Sequence, residues 1–350
     1  MLEDVLLDLG RFHFEVADWP KLLRQLPDKS VQFTMFSPPY EAQRSYGIEF
    51  DKRGEEWVEW IKPVIRECLR VTDGCVAMVC EGYQEDWVYS GSPFLLYADL
   101  VREGITTRKP GVFHRNGIPG GAPDFWKNNW EPIFYFTNGG RLPYGDPTAA
   151  GHPPKWAPGG AMSYRLSDGT RRNQWGGSAS GIRQRRKGED ESVKNEGPRP
   201  SHVIAKIGDA KPARAPRGKA GGDIVDGNLY EPPAIAKLGN VFSVNVGGGH
   251  MGDSRASENE APYPESLIIP HVLSLCPPNG IVLDPMCGSG TTLAVALKCG
   301  RRAIGGDIRP QMVELSLERC QESSFWFDDP QLCPFARSAE TESETSTVIA

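Results

Sequence analysis

The most constraining stretch of this chain is Ile281-Val-Leu-Asp284-Pro-Met-Cys-Gly288-Ser-Gly290-Thr-Thr292. A short apolar run ending in an acid, a Gly-x-Gly turn and an apolar stretch from Thr291 to Cys299 predict a buried strand that passes into a helix through a tight loop. Such a turn leaves backbone N–H groups free at the helix start and lets a glycine bend approach a ligand closely, which suits nucleotide-like molecules at the carboxyl edge of a parallel sheet. No Gly-Lys-Ser/Thr follows, so this is not a Walker-type phosphate loop, and the third glycine of the dinucleotide fingerprint is missing. Arg302 to Asp307 predicts the next strand. Its Asp307 falls at the position where a carboxylate can accept from both hydroxyls of a ribose. A purely structural tight turn is the alternative reading of the loop.

The same alternation of strand and helix runs through the N-terminal part. Val31 to Phe36 is β-rich and stops abruptly at Ser37-Pro38-Pro39-Tyr40, whose prolines cannot continue a ladder. Helical spacing of apolar residues covers Trp19 to Leu26 and Glu55 to Leu69, with Pro63 expected to kink or split the second helix. Cys75 to Cys80, Gly111 to Arg115 and Pro132 to Thr137 are strand candidates. Helices follow at Pro264 to Leu275 and, with proline in the first turn, at Pro310 to Cys320. This pattern predicts βαβ units and an α/β fold. Between Asn138 and Gly249 sustained periodicity gives way to Gly/Pro clusters and scattered aromatics, which reads as an inserted recognition region. From Asp328 the acidic, Ser/Thr/Glu-rich composition predicts a disordered tail.

Charge is unevenly spread. The net charge of −6 combines +9 between Gly139 and Ala220 (16 Lys/Arg against 7 Asp/Glu) with −15 elsewhere. The basic segment, including Arg183, Arg185, Arg186 and Lys187, reads either as a polyanion-binding surface or as a solvated loop. Eight dispersed cysteines without a C-x-x-C pair disfavour a zinc ribbon or a disulfide framework, and six histidines show no metal-ligand spacing, so no metal is expected. No apolar run reaches the length of a membrane span and the N-terminus lacks a secretion signal, so a cytoplasmic location and no membrane partner are expected.

Ser37-Pro38-Pro39-Tyr40 presents a hydroxyl, a carbonyl and an aromatic face on a rigid turn. That set suits a planar base with an exocyclic amine: the hydroxyl and the Pro38 carbonyl accept the amine hydrogens while Tyr40 stacks on the ring. A proline-rich turn with a packing tyrosine is the structural alternative.

Taken together, the two motifs resemble the amino-methyltransferases of DNA, in which S/D/N-P-P-Y is catalytic and D-P-F-x-G-S-G-T-T holds S-adenosylmethionine. The order here, catalytic motif first, basic segment next and cofactor loop last, resembles the circularly permuted β class. Phe14-Glu-Val-Ala-Asp18-Trp-Pro-Lys-Leu-Leu is similar to the family's opening segment, whose aspartate lies near the adenine, and Ala261-Pro-Tyr-Pro264-Glu-Ser-Leu267 to the segment that walls the methionine end. Met286 departs from the usual phenylalanine, and Glu258-Asn-Glu260 from the usual histidine or asparagine before Ala261.

The resemblance covers about 1–138 and 250–322. It implies a Rossmann-like methyltransferase sheet with helices on both faces and an antiparallel strand near one edge. The implied parts are a catalytic half (1–138), a target-recognition region (139–249), a cofactor half (250–327) and the tail (328–350). Ser37, Pro38, Pro39 and Tyr40 would be catalytic. Asp18, Pro264, Asp284, Pro285, Met286, Gly288, Ser289, Gly290, Thr291, Thr292 and Asp307 would hold the cofactor. The implied activity is methyl transfer to a flipped base of double-stranded DNA by direct displacement, without a covalent role for Cys287. The Ser-Pro-Pro-Tyr form is associated chiefly with N4-cytosine and the Asp and Asn forms with N6-adenine, so cytosine N4 is the expected target and adenine N6 the alternative. Other readings are a nucleic-acid-binding protein with an inactive cofactor site and an RNA or protein-amide methyltransferase. A cognate restriction endonuclease is a partner the resemblance allows; it specifies no oligomeric state.

Overall fold

The computed structural model describes residues 10–41, 47–48, 50–117, 126–152, 235–247, 249–259 and 262–324, together with the backbone of 224–225 and 229–230. Arg183, Arg185, Arg186, Lys187 and the 328–350 tail lie outside the described residues.

Two compact units divide the chain, one made of 1–150 and 237–350 and the other of 151–236. The first carries the main sheet. Its strands are β1 (Phe12–Val16), β2 (Val31–Phe36), β3 (Thr72–Val79), β6 (Thr106–Thr107), β7 (Gly111–Asn116), β8 (Trp130–Thr137), β11 (Val241–Asn245), β12 (Ile281–Asp284) and β13 (Arg302–Asp307). They lie in the order β1-β13-β12-β2-β3-β8-β7-β11, with β6 also paired to β8. Every pairing is parallel except those of β8 with β3, β7 and β6, so β8 alone runs backwards. A separate hairpin joins β4 (Gln84–Glu85) to β5 (Val88–Tyr89). In the second unit the described residues form a short antiparallel pair, β9 (Ile224–Val225) with β10 (Leu229–Tyr230), and a bridge between His152 and Ala236.

Helices α1 (Trp19–Gln25), α2 (Gly54–Val71) and α3 (Ser92–Arg102) cover one face, and α4 (Glu265–Leu275), α5 (Thr291–Lys298) and α6 (Pro310–Ser323) the other. Strands buried on both faces carry near-continuous apolar runs, Cys75 to Val79 in β3 and Ile281 to Leu283 in β12. Trp57, Ile61, Val64, Ile65 and Cys68 pack the first core, while Phe33, Ile133, Val272 and Leu293 to Leu297 pack the second.

One expectation changes. Pro63 does not split its helix: α2 runs unbroken over 18 residues because a continuous buried face, from Trp57 to Val71, outweighs one missing backbone donor. The helix α3 falls in a stretch to which the sequence analysis assigned no element; Pro93 sits in its first turn, where proline starts a helix rather than ending one. The sheet also includes β11, and the compact units divide at 151 and 236. Pairing with β7 satisfies the backbone of β11 although only Val244 is buried, which is why its sequence carries little hydrophobic signal.

Candidate active site

Because β1, β2, β3, β12 and β13 are all parallel, the segments that follow them emerge at one sheet edge. The reversed strand β8 begins there, placing Glu131 at the same edge.

The loop after β12 is built around two carboxylates. Asp284 is buried; it accepts from the Met286 N–H (3.1 Å) and from the Tyr263 hydroxyl (3.4 Å), which also contacts the Thr292 hydroxyl (2.6 Å). Burial pushes its carboxyl up to about 7 against the opposing hydrogen bonds of Thr292 and Met286. Asp307 accepts from the Gly288 N–H (3.0 Å), the Arg309 N–H (3.0 Å) and the Arg309 guanidinium (2.9 and 3.2 Å). Gly288 and Gly290 have φ of +50° and +76°. A Cβ at Gly288 would come within 2.6 Å of the Asn259 amide, and one at Gly290 within 2.7 Å of the Ser316 hydroxyl, so both positions need glycine. From behind, Ser316 donates to the Gly288 carbonyl (2.7 Å) and the buried Arg319 to the Ser289 carbonyl (2.5 Å).

The turn after β2 is fastened from several sides. The indole of the buried Trp57 donates to the Pro39 carbonyl (2.9 Å). The Tyr40 hydroxyl donates to Glu131 (2.7 Å), which is ion-paired with Arg115 (2.7 Å). Burial, reinforced by Glu131, pushes the Tyr40 phenol far above its usual range, so it stays a neutral donor. The next residue, Glu41, is buried and accepts from Gly54 N–H (2.5 Å), Tyr83 N–H (3.0 Å), Ser90 Oγ (2.5 Å) and Ser92 Oγ (2.6 Å).

Both motifs open into one cavity of about 450 Å³. Of the residues singled out in the sequence, Asp18, Ser37, Pro38, Pro39, Pro285, Met286, Gly288, Ser289, Thr291 and Asp307 line it. Tyr40, Pro264, Asp284, Gly290 and Thr292 do not: Asp284 and Thr292 hold the Tyr263 hydroxyl, Pro264 caps α4, and Asp18 also caps α1 by accepting from the Lys21 N–H. Cys287 reaches the wall as a thiol pushed well up by burial and by Asp284, a poor nucleophile at neutral pH. The sequence reading missed Asn259, Phe50 and Trp60 on the wall, and Glu41 and Glu131 behind the Ser37–Tyr40 turn. The Asn259 Oδ1 is buried without a hydrogen-bond partner among the described residues. Trp60 was legible only as a helix-packing residue, and the others belong to no motif.

A mostly parallel sheet with helices on both faces and a cavity across the carboxyl ends of its central strands is the arrangement of doubly wound nucleotide-binding folds. The N6/N4 methyltransferase family model, described as DNA methylase, matches residues 31–318, and the chain belongs to that family. The type II methyltransferase M.BglII of Bacillus subtilis is 26% identical over 313 residues, spanning 86% of this chain and 67% of the relative. The chain spans only 16 to 37% of the length of six other curated relatives. Among solved structures, the cytosine-N4-specific PvuII DNA methyltransferase superposes with a TM-score of 0.53 at 16% identity, covering 91% of this chain and 92% of its own. The putative DNA modification methylase TTHA0409 of Thermus thermophilus, complexed with S-adenosyl-L-methionine, gives 0.50 at 17% identity, covering 89 and 94%. At these identities the likeness is one of fold.

Proposed function

We propose that this chain methylates the exocyclic N4 of a cytosine extruded from double-stranded DNA, with S-adenosylmethionine as methyl donor, and that its motifs follow the circularly permuted β-class order. The observation that carries the reading is the single cavity shared by Ser37-Pro38-Pro39 and the Pro285–Ser289 loop with Asp307.

The residues present fit the cofactor. Asp307 supplies a carboxylate for ribose hydroxyls, the glycine loop a surface no Cβ could share, Trp19, Phe50 and Met286 apolar walls, and Asn259 an amide oxygen without a partner among the described residues. S-adenosylmethionine supplies an electrophilic methyl group when bound. The Ser37 hydroxyl and Pro38 carbonyl draw the amine hydrogens and orient the nitrogen lone pair. Tyr40 offers its ring to the base, held in place by Glu131. Extruding the base costs a few kcal/mol, which stacking and phosphate contacts offset. A neutral Ser37 can accept from the amine and donate to the adjacent ring nitrogen, and cytosine N3 is a basic partner for it.

The basic segment around Arg183, Arg185, Arg186 and Lys187 is the phosphate-contacting part of a recognition region centred on residues 151–236, and a cognate endonuclease is the partner such a modification enzyme would protect against. A DNA substrate supports a cytoplasmic activity, in a bacterium, an archaeon or the bacterial host of a phage. Nucleoside mass spectrometry of DNA treated with the purified protein and labelled S-adenosylmethionine tests the reading. N4-methylcytosine is expected; N6-methyladenine alone would overturn the base assignment, and methyl transfer to RNA or protein without DNA would overturn the substrate. No transfer, despite DNA binding, would favour a binding protein with an inactive cofactor site.

A further inference from the structure

The β4–β5 hairpin has an unusual tip. Its two turn residues, Asp86 and Trp87, both have positive φ, +47° and +69°. A two-residue turn of this kind takes Asn-Gly or Asp-Gly, because only glycine adopts the second position without steric cost. Here that position holds tryptophan, and 72% of its surface is exposed. Among the described residues Trp87 belongs to neither hydrophobic core, so core packing does not account for placing the largest side chain on a left-handed backbone and leaving most of it in water. Backbone outliers that fold stability does not require gather at functional sites.

The hairpin is also rigidly tied to the Ser37–Tyr40 turn. Its base residues Tyr83 and Ser90 both bond Glu41, the neighbour of Tyr40. Tyr89 in its second strand donates to the buried Glu81 at the end of β3 (2.7 Å). Tyr83 lies opposite Ser90 at the base and the turn begins three positions beyond it, so the tip stands roughly 10 Å past that anchor at the usual strand rise. The hairpin leaves the same sheet edge as Ser37 to Tyr40.

Resting on the reading of this protein as a cytosine-flipping enzyme, we infer that the Asp86–Trp87 tip enters the duplex beside the extruded base. Trp87 fills the vacated place in the stack and Asp86 accepts from the guanine left unpaired. An apolar wedge of this sort is a known way to stabilise an unstacked step. The acidic tip, ill suited to phosphates, matches this one partner. The Watson–Crick edge of an orphan guanine presents adjacent N1–H and N2–H donors, which a carboxylate accepts together. The thymine left behind by an extruded adenine offers one donor between two carbonyl oxygens, which would repel it. Glu85, the other acid in the hairpin, is paired with Arg53 (3.3 Å).

The test uses the full-length protein and a duplex built on the sequence that the wild type methylates, with a fluorescent cytosine analogue at the target to report flipping. Trp87→Gly relieves the left-handed backbone while removing the ring. We expect unchanged or higher thermal stability with a fall in flipping and methylation on the order of 10- to 100-fold. Placing an abasic site opposite the target removes the pairing to be broken, and it should restore most of the loss. With hypoxanthine opposite, which lacks the N2 amine and also pairs more weakly with cytosine, the wild type should gain about 10-fold less than Asp86→Asn, because only the wild type also loses the contact to that amine. Wild-type flipping by Trp87→Gly, a loss no abasic partner restores, or a fall in stability matching the fall in activity would overturn the inference. If the wild type methylates adenine, the Asp86 assignment falls while the Trp87 test stands on the corresponding adenine analogue. If it methylates no DNA, the proposed function itself fails and this inference with it.

Discussion

Replacing Asp307 by alanine is the sharpest probe of the cofactor site, because its carboxylate is already fully engaged. Each oxygen carries two acceptor sites, and the structure fills all four: Gly288 N–H and one guanidinium nitrogen on Oδ2, Arg309 N–H and the other guanidinium nitrogen on Oδ1. Ribose hydroxyls can bond here only if the partly exposed Arg309 guanidinium gives way. Charge-assisted hydrogen bonds of this type contribute about 1.5–3 kcal/mol. Asp307→Ala should therefore raise the Kd for S-adenosylmethionine on the order of 10- to 150-fold. It should also lower stability, by about 1–3 kcal/mol, because the buried Gly288 N–H loses its acceptor. Asp307→Asn retains an acceptor for that N–H and should separate the two effects, keeping more stability while still losing affinity. Arg309→Ala removes the competitor and should shift Kd the other way, tightening binding by about 5-fold if a partly exposed ion pair contributes about 1 kcal/mol. Calorimetric titration of the cofactor, with thermal unfolding of each variant in parallel, reads both quantities. An unchanged Kd in Asp307→Ala with a lowered Tm would mean that Asp307 only supports the loop and the ribose binds elsewhere. Movement of Kd in the same direction by Arg309→Ala and Asp307→Ala would refute the competition.

Two further outcomes follow from the same geometry and a third from the charge pattern of the sequence. Ser37→Ala and Tyr40→Ala should lose most methyl transfer while retaining cofactor affinity, and Tyr40→Phe, which keeps the ring but not the bond to Glu131, should fall in between; near wild-type single-turnover rates for the alanine variants would refute the assignment. Asp284, with its carboxyl raised from an ordinary 3.8 to about 7, is neutral when folded and ionised when unfolded between those values, so stability should fall as pH rises through that window, by up to about 4 kcal/mol. Urea denaturation at pH 5 and pH 8 should show that loss in the wild type and little of it in Asp284→Asn; equal pH dependence in the two would remove Asp284 as its source. Neutralising Arg183, Arg185, Arg186 and Lys187 should weaken DNA binding across sequences and flatten its salt dependence, with an unaltered slope showing a merely solvated loop.

What the sequence determined by itself was local. A strand that stops at Phe36 against two prolines, and another that turns through Gly288 and Gly290 into a helix, are set by proline's missing donor and by glycine's access to positive φ. Those are properties of a residue and its neighbours, so the chemistry of each motif could be read before any fold was known. That the motifs share one cavity was a matter of tertiary structure. It depends on the parallel pairing of β12 with β2, between strands some 250 residues apart, and nothing local encodes a contact of that length. The supporting residues were invisible for the same reason. Glu41 and Glu131 look like ordinary surface acids until folding buries them against Ser90, Ser92, Tyr40 and Arg115. Pro63 shows the converse: the local rule predicted a break, and the packing of one continuous face on the sheet overrode it. The left-handed backbone of Trp87 likewise follows from hairpin pairing, which imposes a turn geometry that the side chain alone would never select.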